Sequence, residues 1–315
     1  MLHIFTLSLD AGSSSYDEFY ADLFVSELHR KYPDIQYTKV KFKIEDGLAI
    51  IEDIIKILET HDPNTIRASI PMFLLAKYIK ENTDYKVILS GEGSDELFMG
   101  YNYFSMMKPT YEQAEKESLR LVQGLHSFDI LRAERCFSSN GLELRVPFLD
   151  RDLISKVIQI PGQHRLPSNG LEKSLLRSSF SEMFKELDIS DRILFRSKER
   201  MSDGVGMTWI PSLINHCVEK EFERSGNLQN KSLSTDDRML YEKSYYKHIY
   251  DKHYKYNTIL FRMLPEWSNV KEQDKNLISS ENVTDMTRDI ENKKKNKIND
   301  DDFNKLLADR NRTDP

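Results

Sequence analysis

Between Ser90 and Glu96 the chain reads SGEGSDE, which sets three carboxylates, two glycines and two serines side by side. The run follows YKVIL, which is strand-like, and precedes LFMGY, which continues a helix-like segment. A loop at the carboxyl end of a parallel strand is where open α/β sheets bind ligands. Gly91 and Gly93 would let the backbone approach a ligand and take positive φ. Ser94 or Asp95 would cap the following helix, whose free N–H groups face an anion. Two standard phosphate motifs are absent. G-x-G-x-x-G fails because Glu96 stands where the third glycine belongs, and no G-x-x-x-x-G-K-[ST] occurs. The carboxylates suit a cation better, and Asp95 is a typical ligand for the Mg²⁺ that a nucleotide carries. The plainer alternative is that Ser94 and Asp95 only cap and Glu92 is solvated.

The elements that must position this loop alternate. IFTLSL (4–9) and IQYTKVKF (35–42) read as strands, and YKVIL as a central strand. YDEFYADLFVSELHRKY places Phe19, Leu23, Phe24 and Leu28 on one helical face. GLAIIEDIIKILET (47–60) is a helix with a stripe of Ile51, Ile54, Ile55 and Leu58. Ser69 reads as an N-cap with Pro71 in the first turn of the next helix. Strand–helix alternation of this kind implies crossover units and a parallel sheet. Residues from about 110 to 265 read as mostly helical, with YEQAEKESLRLVQGL, GLEKSLLRSSFSEMFKEL and SYYKHIYDKHY carrying the period. From 269 to 315 the chain is polar and charged, too poor in apolar residues to order itself. Its basic run Lys293 to Lys297 is either a partner patch or a solvated stretch.

The formal net charge is −6 over 315 residues, so nucleic acid is a poor partner. No run approaches the roughly 18 apolar residues of a membrane span. The N-terminus lacks the basic lead and long apolar core of a signal peptide, so a cytoplasmic protein is expected. Cys136 and Cys217 form no metal motif and fit a reducing compartment. The eight histidines form no ligand cluster, and Trp209, Tyr245, Tyr246 and Tyr250 read as packing residues.

VILSGEGSDELFMGYNYF resembles the signature of the synthetase domain in the glutamine-hydrolysing asparagine synthetase family. DPNTIRASIPMFLLAKYI (62–79), SSNGLELRVPFLD (138–150), NGLEKSLLR (169–177) and FRSKERMSDGVG (195–206) resemble further family segments in the family's order. The resemblance runs from residue 2 to about 265. It implies a synthetase domain over 1–268, with an α/β nucleotide-binding part (1–105) and a helical part (106–268). The implied fold is α/β, a parallel sheet of the ATP-pyrophosphatase (adenine nucleotide alpha hydrolase-like) type, with the first strand and its phosphate loop missing. The implied chemistry is attack of the aspartate β-carboxylate on Mg-ATP to give β-aspartyl-AMP and pyrophosphate, then displacement of AMP by glutamine-derived ammonia.

Carried over by position, Leu7, Ser90 and Gly91 match nucleotide contacts, and Asp95 matches a Mg²⁺–pyrophosphate carboxylate. Glu92 matches the acid beside the acyl-adenylate, a proton acceptor as ammonia attacks. Thr65 and Arg67 match residues that form or hold the intermediate, and Lys198 a lysine at the α-phosphate. Adenylation gathers negative charge, which a lysine, an arginine and Mg²⁺ would stabilise. Arg145 and Asp150 are expected to pair across a loop. Leu144 and Val146 stand where the family lines an ammonia channel, or are plain core.

The departures are specific. The family has an N-terminal glutaminase domain with a cysteine nucleophile exposed once the initiator Met is removed, whereas Leu2 follows Met1 here. The family's S-G-G-x-D-S-S loop has no counterpart. LSLDAGSSS (7–15) looks like it, but its neighbours align with the family's next strand, so Asp10, Ser13, Ser14 and Ser15 are not read as that loop. Asn64 replaces a threonine. On this reading the chain is the C-terminal portion of a synthetase: a fragment, a split subunit, or a relic. A split enzyme needs a separate chain with the glutaminase and phosphate loop, and a homodimer is one assembly the resemblance admits. The competing class is a non-catalytic remnant that binds a partner.

Overall fold

The computed structural model describes residues 2–10, 15–196, 204–226 and 233–255. The chain divides into two units, residues 1–261 and 262–315, and the second, with the expected polar tail, lies outside the described residues.

β1 (His3–Leu9) and β2 (Gln36–Phe42) pair in parallel, from His3 opposite Gln36 to Leu9 opposite Phe42. A crossover helix joins them, α1 (Tyr16–Leu28), capped by Ser15, whose Oγ accepts from the Glu18 N–H at 3.1 Å. The face of α1 differs from the one expected. Val25 and Leu28 are buried together with Glu18 and Glu27, while Phe19, Leu23 and Phe24 are half-buried. Glu18 lies inward because it has partners there: it accepts from Ser8 Oγ at 2.7 Å and Lys41 Nζ at 2.8 Å. Burial pushes its carboxyl upward, but those hydrogen bonds outweigh it and hold Glu18 below its ordinary 4.5.

The expected helix 47–60 is two, α2 (Ile44–Ala49) and α3 (Ile51–Leu58), because Ile50 leaves helical geometry at φ −103°, ψ 6°. The stripe survives: Ile51, Ile54, Ile55 and Leu58 are all buried. In α4 (Pro63–Asn82) the expected cap is wrong. Asp62 is the N-cap, and its carboxylate accepts from the Thr65 N–H at 2.9 Å. Pro63 takes the first turn, where no N–H is needed. Ser69 and Pro71 lie inside the helix. Ser69 Oγ donates to the Thr65 carbonyl at 2.5 Å. Pro71 cannot bond the Arg67 carbonyl one turn back. That carbonyl accepts instead from the indole N–H of buried Trp209 at 3.2 Å.

β3 (Val87–Leu89) and β4 (Glu143–Arg145) form a second parallel pair. YKVIL is therefore not a central strand: among the described residues β3 pairs with β4 alone, and β1 with β2 alone. Around β3 and β4 lie short helices α5 (Ser94–Leu97) and α6 (Tyr103–Met106), then α7 (Tyr111–Gly124) and α8 (Asp129–Ser138). α9 (Arg151–Ile158), α10 (Gly162–Arg165), α11 (Ser174–Ser179), α12 (Ser181–Glu186) and α13 (Asp191–Leu194) follow. α14 (Trp209–Ser225) and α15 (Thr235–His253) pack on each other, α14 also on α2, and α15 on α3 and α4. One core of Leu7, Leu9, Val40, Ile54, Ile66 and Trp209, among others, joins the first strand pair to these helices.

Candidate functional site

The Ser90–Glu96 loop leaves β3 where the Ser90 N–H donates to the Arg145 carbonyl at 2.9 Å. The loop turns back at once, the Ser94 N–H reaching the Gly91 carbonyl at 3.4 Å. α5 is a single turn, and its cap is Gly93 at φ 91°, ψ −14°, rather than Ser94 or Asp95. Gly93 is needed twice over. Its φ suits no L residue well, and a Cβ there would overlap the Leu149 side chain. The close approach is thus to Leu149. Gly91 has no such constraint, since a Cβ there meets nothing within 4 Å, and it is not among the residues with positive φ.

Two cations from later segments meet the loop carboxylates. Glu92 Oε1 accepts from Arg132 Nη2 at 2.8 Å, and Arg132 Nη1 lies 3.0 Å from Asp129 Oδ1. Burial alone would lower the Arg132 pKa, but Glu92 reverses that and holds the guanidinium charged. Its Nε–H is buried and makes no hydrogen bond. Tyr101 extends the network, its hydroxyl donating to buried Glu96 at 2.5 Å and to Asp129 at 3.4 Å. Asp95 Oδ1 lies 3.1 Å from Lys173 Nζ, which also reaches Ser94 Oγ at 3.4 Å.

Asp95 is one carboxylate beside an ammonium, and no group of three His, Cys, Asp or Glu side chains able to hold a metal occurs among the described residues. A single carboxylate is a donor set that a largely hydrated Mg²⁺ brought by a nucleotide would fit.

Of the remaining predicted residues, Thr65 and Arg67 form a second cluster on α4. Thr65 is buried, and its hydroxyl donates to Asp62 at 2.7 Å. Arg67 makes a two-pronged pair with Glu242 of α15, Nε to Oε1 at 2.8 Å and Nη2 to Oε2 at 2.5 Å. Tyr246 donates to the same carboxylate at 3.0 Å. Leu7 is a buried core residue of β1, opposite Val40. Lys198, Ser13 and Ser14 lie outside the described residues. α8, which carries Arg132, packs on α4, which carries Thr65 and Arg67, and Cys136 Sγ reaches the Ser69 carbonyl at 3.5 Å. Burial pushes the Cys136 thiol up to about 12 and raises Cys217 as well, so neither is a poised nucleophile.

Arg145 does not pair with Asp150. Its Nε donates to Glu143 at 2.8 Å, and Asp150 caps α9 by accepting from the Asp152 and Leu153 N–H groups. Sequence reasoning missed Arg132, Lys173 and Glu242. Lys173 lies inside NGLEKSLLR, one of the quoted segments, so a signal existed for it. Arg132 and Glu242 meet their partners only through tertiary packing and carry no local mark.

A model of the asparagine synthase family matches residues 1–110 and 106–274. Glutamine-hydrolyzing asparagine synthetase of Cricetulus griseus is 39% identical over 256 residues, which cover 79% of this chain and 44% of that protein. The Bos taurus protein of the same name is 40% identical over 242 residues, covering 74% of this chain and 42% of that protein. The human protein is 39% identical over 241 residues, with the same two shares, 74% and 42%. The chain therefore spans less than half the length of these relatives. With a family match that runs through the carboxylate loop and both of its cationic partners, the chain belongs to the asparagine synthase family.

Proposed function

We propose that this chain carries the aspartate-activating site of an ATP-dependent amide ligase that makes asparagine through β-aspartyl-AMP. The observation that supports this most is the loop after β3, where Glu92 and Asp95 are each matched with a cation, Arg132 and Lys173. An oxygen of the aspartate β-carboxylate attacks the α-phosphorus of ATP, and the bond to the bridging oxygen breaks as pyrophosphate leaves. Ammonia then attacks the acyl carbon, the C–O bond to AMP breaks, and the nitrogen sheds a proton. Glu92 accepts that proton, held in place by Arg132 rather than free to rotate. Asp95 would hold the Mg²⁺ that arrives with the nucleotide, and the ion would supply charge neutralisation on the phosphates. Lys198 is assigned to the α-phosphate.

Thr65 and Arg67 enter differently from the matching family positions. Each already has a buried partner, Asp62 or Glu242. Freeing Arg67 would leave Glu242 buried and unpaired, which is costly. In this reading Arg67 anchors α15 to α4, and Thr65 completes the cap of α4.

The ATP-pyrophosphatase type of sheet, and a separate source of the phosphate loop and of ammonia, belong to the same proposal. The two strand pairs, each with an edge unpaired among the described residues, favour a second reading, in which the chain docks onto another polypeptide.

The test joins the chain to a segment supplying the phosphate loop and follows two signals. E92Q should keep aspartate-dependent ATP–pyrophosphate exchange within a few-fold and lose asparagine formation from ammonia, because only the second step needs the base. Asparagine made by E92Q at the wild-type rate would remove Glu92 from the mechanism.

A further inference from the structure

We propose that Arg165 is a positioning residue of this site: from α10 it fixes the C-terminal end of α5, the helix that carries Asp95, and so sets where that carboxylate points. The inference rests on the reading of Asp95 as the carboxylate for the nucleotide's Mg²⁺.

α5 cannot hold its own geometry. It has 4 residues, and a single helical turn is unstable by itself in water. Its carbonyls all belong to a helix end, where most find no helical N–H. The Phe98 N–H donates to the Ser94 carbonyl at 3.0 Å, and the Gly100 N–H to that of Asp95 at 2.8 Å. The other two are satisfied by side chains from distant segments. Ser118 Oγ of α7 donates to the Glu96 carbonyl at 2.7 Å, and Arg165 Nη1 donates to the Leu97 carbonyl at 3.2 Å. Nη1 also donates to Ser118 Oγ at 3.0 Å, so arginine, hydroxyl and helix end form one chain. Arg165 Nε donates to the Ile160 carbonyl at 3.0 Å, which ties the clamp to the turn before α10.

An arginine is a costly occupant of this place. Arg165 is 1% exposed, and among the described residues its acceptors are two carbonyls and a hydroxyl, with no carboxylate paired to it. Glu115 instead accepts from the Gly162 N–H at 2.5 Å. A buried charge without a counter-charge is unfavourable, and an apolar side chain would fill the space at less cost. What the arginine adds is a donor and a positive charge at the C-terminal end of a helix. Glu92 has a separate anchor in Arg132 of α8, so the two loop carboxylates are held independently.

The first test is hydrogen exchange of the full chain in wild type, R165M, R165K and S118A, read at the amides of Phe98 and Gly100. R165M should exchange there about tenfold faster, the value of one lost hydrogen bond, while amides of α3 and α4 keep wild-type rates. R165K retains the charge and a donor and should recover most of the protection. The second test joins the chain to a segment supplying the phosphate loop and measures aspartate-dependent ATP–pyrophosphate exchange in R165M, D95N and D95N/R165M. R165M should slow it about ten- to a hundredfold, the effect of a misplaced group, and should add nothing to D95N, because it acts through Asp95. Asparagine formed per pyrophosphate should stay at the wild-type ratio in R165M, since Arg132 still holds Glu92. If circular dichroism shows R165M unfolded, S118A, which removes only a hydroxyl, carries both tests with the same expected pattern.

Unchanged exchange at Phe98 and Gly100, or equal acceleration in α3 and α4, overturns the proposal while the reading of Asp95 stands. So does a double variant whose loss is the product of the two single losses. D95N at the wild-type rate sinks the assignment of Asp95 to the metal instead, and the positioning role falls with it, although the clamp on α5 would still show in hydrogen exchange.

Discussion

Arg67 is where a residue's type and its surroundings disagree most about its role. A catalytic arginine needs a free face, yet both prongs of this guanidinium grip Glu242, which is 0% exposed. Removing one partner of such a pair costs about 3–5 kcal/mol, because the other charge stays buried. R67A should therefore lower the unfolding free energy by that much in chemical denaturation, and the apolar double replacement R67M/E242L should recover most of it. Near-native stability of R67A, with slowed adenylation, would restore the catalytic role that the family position suggests. Glu18 gives a pH-dependent counterpart. Its folded pKa is depressed, so its contribution is complete above 4.5 and disappears as pH falls through the folded value. E18Q should be less stable than wild type at pH 7, with the gap closing below pH 4.5 in urea titrations. A gap that stays constant down to pH 3 would mean that the Lys41 and Ser8 contacts do not hold the charge.

Helix α4 sets the geometry of both clusters, since it carries Thr65 and Arg67 and packs on the helix of Arg132. Its start depends on Asp62, which holds both the N–H and the hydroxyl of Thr65. D62A should cost about 1–2 kcal/mol in chemical denaturation, the range of a lost cap, and D62N less, because an acceptor remains. Equal losses would point to charge rather than capping. The same helix marks the limit of reading from sequence. Ser69 and Pro71 look locally like a cap and a first-turn proline. What lets the helix run through them is distant: Trp209 supplies the donor that the Arg67 carbonyl lacks. Where the deciding contacts are local, the sequence reading holds, as in the buried stripe of α3 and the strands β1 and β2. Asp95 stands out from its loop alone, while the role expected of Glu92 comes only from the resemblance to the family. The length of β3, its single neighbour and the partners Arg132 and Lys173 depend on segments far along the chain, which no local pattern encodes.

Across the molecule, the described strands make two pairs rather than one sheet. Val87 and Leu89 of β3 are 40% and 65% exposed, more than a strand inside a sheet allows. No described helix is long and apolar enough to cross a membrane. The site has its carboxylate loop, but the sequence contains no S-G-G-x-D-S-S run to hold the pyrophosphate end of ATP. In the proposed reaction, a leaving pyrophosphate without that loop's N–H donors would have its charge left mostly to water. The most direct measurement mixes the purified chain with Mg-ATP, aspartate and ammonia and counts pyrophosphate and asparagine, with and without a separately expressed upstream half. No product from the chain alone is expected, and equal amounts of both products should appear on adding that half, with asparagine abolished by E92Q. Both products from the chain alone, well above background, would contradict the account and assign the phosphate loop to LSLDAGSSS. A complemented reaction that E92Q leaves untouched would contradict it at the site itself.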